Sequence, residues 1–195
     1  PVVSASAPVP APTSVVVVPE LQADTQHVYV SESTMSDDGS QVTIKLTYLV
    51  DNPSLSGVGF SLDFDSSALT LNSVSGVLTG AVASGELNAD GDGLSFGWAS
   101  LFGGWPGATE QELATITFDV VDGASGSTGL NIVKTSSAAG YGFAGQPHDV
   151  VITAEAGDPN LSIDSATGEV TLLVDPNFED VSAYSFDIVS SKDRS

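Results

Sequence analysis

The sequence predicts an all-β chain. Apolar residues alternate with polar ones in several segments, Gly, Asp, Asn and Ser punctuate the intervals, and no long stretch carries a convincing 3.6-residue period. In "VTIKLTYLV" the residues Val42, Ile44, Leu46, Tyr48 and Val50 share one face. In "VGFSLDF" Val58, Phe60, Leu62 and Phe64 point one way, and Gly59, Ser61 and Asp63 the other. "LSFGW" aligns Leu94, Phe96 and Trp98; "LATITFDVV" aligns Ala114, Ile116, Phe118 and Val120; "HDVVIT" adds Val150 and Ile152. Many half-buried strands at short spacing argue for a sandwich and against βαβ units. Thr109 and Glu112 have capping-box spacing, but the alternation that follows predicts a strand lead-in over "TEQELA".

Three segments follow from composition. Residues 1–20, "PVVSASAPVPAPTSVVVVPE", hold five of the ten prolines and read as an extended linker. Within it, Val15, Val16, Val17 and Val18 form a β-branched run that prefers extended backbone. Such a run is a candidate assembly strand. Either it packs on its own domain as a first strand, or it adds to a sheet edge of another molecule. Residues 21–155 form the main sandwich. Residues 156–195 form a small second β unit, with Val170, Leu172 and Val174 alternating in "EVTLLVD" and Tyr184, Phe186 and Ile188 in "YSFDIV".

The chain has 195 residues, 25 acidic against 4 basic, and a net charge of −21. Such a field repels nucleic acid and anionic lipid, and suits salt or divalent cations. No run approaches the roughly 18 apolar residues of a membrane helix, so no membrane insertion is expected. There is no cysteine, which excludes thiolate chemistry and Cys-zinc sites. From Pro1 onward no basic n-region is read, and the chain is expected to be a processed or excised piece of something larger.

Enzyme signatures are missing. There is no G-x-S-x-G, phosphate loop or dinucleotide fingerprint, and no carboxylate pair stands out in a chain this acidic. His27 and His148 pair only if the two ends of the sandwich meet. Calcium is the cofactor the residues suggest. In "NADGDG" Asn88, Asp90 and Asp92 alternate before Gly93, which is the first half of a calcium loop and equally a β-turn of turn formers. "DPNFED" gathers Asp175, Asn177, Glu179 and Asp180. "SDDGS", Ser36 to Ser40, reads as a hairpin turn. Aromatics concentrate in "FGWASLFGGWPG" and "YGF". Trp98, Trp105 (placed in a loop before Pro106) and Tyr141 either stack on a sugar ring or cap the core.

Residues about 27–154 resemble the cohesin-like domains of large bacterial surface adhesins. The pieces that carry this are "HVYVSEST", "GVGFSLDFDSSALTL", "FGWASLF", "ELATITFDVVDG" and "GLNIVKTSSAAGYGFAGQPHDVVIT". The resemblance implies a nine-stranded jelly-roll sandwich with no catalytic role. Residues about 157–195 resemble the second half of a cadherin-like repeat, an immunoglobulin-like unit, through "LSIDSATGEVTL", "PNFED" and "YSFDIVSSKD". This second resemblance implies calcium positions at Glu179 and Asp193, with Asn177 where the family has Asp. The whole predicts a non-enzymatic, extracellular adhesion module, with head-to-tail copies of itself, neighbouring repeats or glycan as partners. It reads as a filament or biofilm-matrix subunit, or alternatively as a carbohydrate-binding module. An immunoglobulin-like sandwich needs roughly seven strands, so the tail is short of strands and a donated one, "SVVVV", is the candidate to complete it.

Overall fold

The computed structural model describes Ser14 and residues 16–152, 161–163 and 170–172. The chain divides into two compact units, Pro1–Glu155 and Ala156–Ser195.

The first unit is an all-β sandwich. It opens with β1 (Thr25–Met35) and β2 (Gln41–Leu49), paired antiparallel through a turn at Ser36–Ser40. The Asp38 carboxylate closes that turn by accepting from the Ser36 hydroxyl at 2.6 Å and the Ser40 amide at 3.0 Å. These bonds, that from Ser36 first, hold its carboxyl down at about 2. There follow β3 (Ser54–Leu55), β4 (Gly57–Asp63), β5 (Leu69–Ser75), β6 (Ala81–Leu87) and β7 (Gly93–Ala99). Then come β8 (Trp105–Pro106), β9 (Glu110–Val120), β10 (Gly126–Ser137), β11 (Gly142–Gly145) and β12 (His148–Ile152).

Two five-stranded sheets form, in the orders β11-β1-β2-β9-β5 and β12-β10-β4-β7-β6, with β3 and β8 as a short separate ladder. β11 runs parallel to β1. The chain then changes sheets: the Gln146 amide still donates to Val28 O at 2.9 Å, while His148 pairs with Leu130 of β10. Pro147 stands at the handover, where a residue without an N–H costs neither sheet a ladder bond. Taking β11 and β12 as one strand broken there, the long strands number nine, as the resemblance implies.

The alternation read from the sequence is the core. Val42, Ile44, Leu46, Tyr48 and Val50 are buried, as are Val58, Phe60, Leu62 and Phe64. So are Leu94, Phe96 and Trp98, and Val150 and Ile152. "TEQELA" leads into β9 as a strand. Leu113 and Ala114 are adjacent and both buried, because the ladder steps from Leu46↔Ala114 to Thr47↔Glu112 and leaves Leu113 as the extra residue of a bulge. Phe60 stacks on Phe96 with centroids 5.3 Å apart, and Phe64 tilts against Phe118 at 4.9 Å. Each such ring contributes about 1.5–3 kcal/mol by leaving water.

One polar side chain ties the two sheets together. Gln26 of β1 is fully buried. Its Nε2 donates to the Tyr48 hydroxyl at 2.6 Å and to Gly57 O at 2.9 Å, and its Oε1 accepts from the Ala138 amide at 2.8 Å. Gly57 begins β4 of the second sheet with φ +128°, and a Cβ there would stand 2.0 Å from Trp98 O, so only glycine lets β4 pair this closely with β7.

The valine run is not a first strand of this sandwich. Val16, Val17 and Val18 lie outside any strand, and β1 begins at Thr25; Val15 lies outside the described residues. Val17 and Val18 are more than half exposed, so no core face rewards an extended pairing here.

Of the second unit, β13 (Leu161–Ile163) and β14 (Val170–Leu172) are described as an antiparallel pair with Ser162 opposite Thr171. The alternation proposed for Val174, Tyr184, Phe186 and Ile188 lies outside the described residues.

Candidate interaction surfaces

Among the described residues the two sheets present different outer faces. The face of β1, β2 and β9 is covered by polar cross-strand pairs. Lys45 meets Glu32 at 2.7 Å, Gln41 donates to Asp119 at 2.8 Å, and the hydroxyls of Thr43 and Thr117 lie 3.2 Å apart. The Tyr29 hydroxyl donates to Glu110 at 3.1 Å; burial first, and then this bond, push the phenol up to about 12. The second sheet is plainer. Phe60, Leu62, Phe96 and Trp98 face the core, so Gly59, Ser61, Ser95 and Gly97 lie on the outer side, where Gly59 and Gly97 are buried under the neighbouring side chains of Thr135, Ser136 and Val82. Gly59 stands directly opposite Gly97, and Ser61 opposite Ser95. Exposed Val133 and Val82 lie on the flanking strands β10 and β6.

At the end of β7 the chain makes a compact turn bearing Leu101 and Phe102, which are 95% and 100% exposed. The turn is anchored by the Ser100 amide donating to Ser56 O at 2.8 Å and by the Ser100 hydroxyl donating to Gly103 O. Gly103 and Gly104, with φ of 75° and 89°, bend the backbone back toward β8. Two large apolar side chains held in water on a hydrogen-bonded turn contribute no packing to the fold.

The residues assigned to sugar stacking divide otherwise. Trp98 is 3% exposed; its indole N–H donates to Leu78 O at 2.9 Å, and its ring stacks with Phe60, Phe96 and Trp105. Trp105 belongs to strand β8 and not to a loop. It is 7% exposed, tilts against Tyr48 at 4.8 Å, and precedes Pro106 through a cis peptide. Both ring faces are covered, which corrects the reading of either tryptophan as a sugar platform. Tyr141 is half-buried against the core beside Ala138 and Ser137.

Asn88, Asp90 and Asp92 form the β6–β7 hairpin turn. The Asn88 amide group donates to Asp92 Oδ1 at 2.8 Å, and its oxygen accepts from the Asp92 backbone amide at 3.1 Å. The Asn88 amide N–H closes the turn on Gly93 O at 2.8 Å. Asn88 and Asp92 therefore bond to each other across the turn. Among the described residues no group of three or more His, Asp or Glu is arranged to hold an ion. Asp175, Asn177, Glu179 and Asp193 lie outside the described residues.

His27 and His148 lie on strands of different sheets, β1 and β12, and each is buried with an Nε2 that has no hydrogen-bond partner. Burial lowers both from the ordinary 6.5, opposed at His148 by the Asp149 carboxylate. Their effect on stability has a definite sign. Below about 6.5 the unfolded chain takes up protons that the folded one refuses, so stability falls with falling pH until the folded values are passed. Thermal melts from pH 7.5 to 5 are expected to show this fall, and a His27→Gln, His148→Gln chain should have a shallower slope. Equal slopes would exclude the histidines as its source.

Beside β12 is an open cleft of about 400 Å3, with Ser14, Val17, Val30, Pro147, His148 and Val151 in its walls. The Val151 amide reaches the Ser14 hydroxyl across it at 3.4 Å. Sequence reasoning singled out neither this cleft nor Gln26. It grouped "SLFGG" with the aromatics of "FGWASLFGGWPG", although the Gly-Gly after Leu101 and Phe102 marks a turn.

No protein-family model matches the chain, and no curated protein does. Among solved structures it is similar to the seventh ScaB type I cohesin of Pseudobacteroides cellulosolvens, with a TM-score of 0.51 and 18% identity over 67% of this chain and 94% of that one. It is similar to the third cohesin of ScaC from Acetivibrio cellulolyticus, solved in complex with the ScaB dockerin, with a TM-score of 0.50 and 19% identity over 66% of this chain and 99% of that one. It is also similar to CaCohA2 from Clostridium acetobutylicum, with a TM-score of 0.51 and 11% identity over 69% and 95% of the two chains. The likeness is one of fold: the first unit is a cohesin-like jelly-roll sandwich.

Proposed function

We propose that this chain is a non-enzymatic protein-interaction module of an extracellular scaffold or surface adhesin, and that it assembles with further copies of itself or with neighbouring repeats. The observation that carries this reading is the pair Leu101 and Phe102, fully in water on an anchored turn at the end of a β7 whose outward residues are small and uncharged. A turn that holds large apolar side chains in water beside strands with small, uncharged outward residues suits a protein contact, with the large side chains as its anchors. The cohesin fold supports the reading, since one similar cohesin is solved with a dockerin bound. An acidic chain of net charge −21 that seeks protein partners is suited to salt and divalent cations, and calcium at the carboxylates of 175–180 is part of the proposal. The tail is read as a partial cadherin-like unit in the same scaffold.

Light-scattering mass against concentration tests it, with the full chain and a chain lacking residues 1–20, each with calcium and with chelator. The full chain is expected to grow beyond one subunit, most in calcium and in salt, because screening reduces the repulsion between two acidic copies. A constant single-subunit mass across all these conditions would sink the self-assembling form of this reading.

A further inference from the structure

Among the described residues the second sheet ends at β12, which pairs with β10 on one side and with no described strand on the other. A free edge presents unpaired N–H and C=O groups to any extended chain. In an antiparallel strand the outward-pointing groups belong to alternate residues, here Asp149 and Val151, since Val151 reaches outward. What meets Val151 is the Ser14 hydroxyl at 3.4 Å, a side chain in the place of a ladder carbonyl. The residues that follow, Val16 to Val18, form no strand, and Val17 and Val18 are 54% and 63% exposed although Val17 lines the cleft. The cleft itself is incomplete. His148 in its wall is 6% exposed, and its Nε2 has no partner.

We propose that the free edge of β12, with the cleft beside it, is the acceptor for the valine run of a second copy of this chain. In the same molecule Ser14 and Val17 stand at that edge without a ladder. The occupant is argued from the page: this chain's own Ser14 and Val17 already lie at that edge, and the same residues from a neighbour find the same partners. Exchange of an element between identical chains needs no new complementarity. Three described β-branched residues without a ladder gain one by pairing with β12, and their side chains alternate between cleft and solvent. Residues 19–24 between the run and β1 span at most about 20 Å, so donor and acceptor domains lie close together. The acceptor is thus the cohesin-like sandwich and not the tail. This rests on the self-assembly reading above and goes further by naming a second contact, apart from the Leu101–Phe102 turn.

A natural chain without cysteine makes the test clean. A full-length Ser14→Cys chain is mixed with a full-length Val151→Cys chain in calcium and salt, under mild oxidation, beside the Ser14→Cys, Val151→Cys double variant. Heterodimer in the mixture and a ladder of oligomers from the double variant are expected. Light scattering on the same samples separates the failures. Growth in mass with no heterodimer, or with crosslinking as strong to Ser95→Cys on the outer face of β7, overturns the β12 contact and leaves assembly standing. A double variant that closes only within single molecules, without growth in mass, overturns both.

Discussion

Replacing Gln26 with alanine is expected to lower the stability of the sandwich by roughly 3–5 kcal/mol, the largest loss for any single polar side chain described. The reason is the number of groups it leaves behind. Tyr48 Oη, Gly57 O and the Ala138 amide all meet Gln26 in a fully buried setting. An unmet buried polar group costs about 1–3 kcal/mol, and water has little room to replace a side chain that is 0% exposed. For a unit of this size each kcal/mol moves Tm by about 2–4 °C, so a fall of roughly 10 °C is expected. Calorimetry or circular dichroism reads it. Gln26→Glu adds a test of mechanism. A carboxylate still accepts from Ala138 but does not donate to Gly57 O, and burial raises its pKa. A raised folded pKa means that stability is kept at low pH and lost as pH rises, so this variant should recover on acidification, opposite in sign to the wild-type histidine effect. Loss of under about 1 kcal/mol in Gln26→Ala would mean that the two sheets are held without this clamp.

The clamp also shows where the sequence stops being legible. The core faces of β2, β4, β7, β9 and β12 were readable because their apolar residues alternate with period 2, and a half-buried strand imposes that period. Gln26 breaks the apolar pattern, and its partners lie 22, 31 and 112 residues away, so nothing local marks it. Leu113 is hidden in the same way, since a bulge buries two neighbours and spoils the count. Within one chain the valine run shows the limit of propensity. Propensity favours a strand there, but a strand needs an edge to pair with, and this chain's own copy is not zipped to one. Asn88, Asp90 and Asp92 fit a calcium loop and a hairpin turn equally by composition. The bonds between Asn88 and Asp92, which form the turn, are not written in that composition.

Within "FGWASLFGGWPG" two aromatic residues four positions apart should answer oppositely to substitution. Trp98→Ala is expected to cost about 3–5 kcal/mol, because it opens a cavity among Phe60, Phe96 and Trp105 and leaves Leu78 O without the indole N–H. Phe102→Ser is expected to leave Tm unchanged within about 0.5 kcal/mol, because a fully exposed ring loses no packing. Its effect belongs to association. If Leu101 and Phe102 anchor a contact, the Leu101→Ser, Phe102→Ser chain should raise the concentration at which mass grows by tenfold or more, since an anchoring side chain is worth about 2 kcal/mol or more. The same substitutions should leave the Ser14–Val151 crosslink chemistry intact in whatever complexes still form, because the turn and the β12 edge are separate features. Unchanged assembly in the double serine chain, with melting equally unchanged, would remove the turn from the interface. A Trp98→Ala chain that melts like wild type would instead show that the aromatic stack is not the centre of the core, and the fold's dependence on "FGW" would have to be sought in the backbone pairing of β4 with β7.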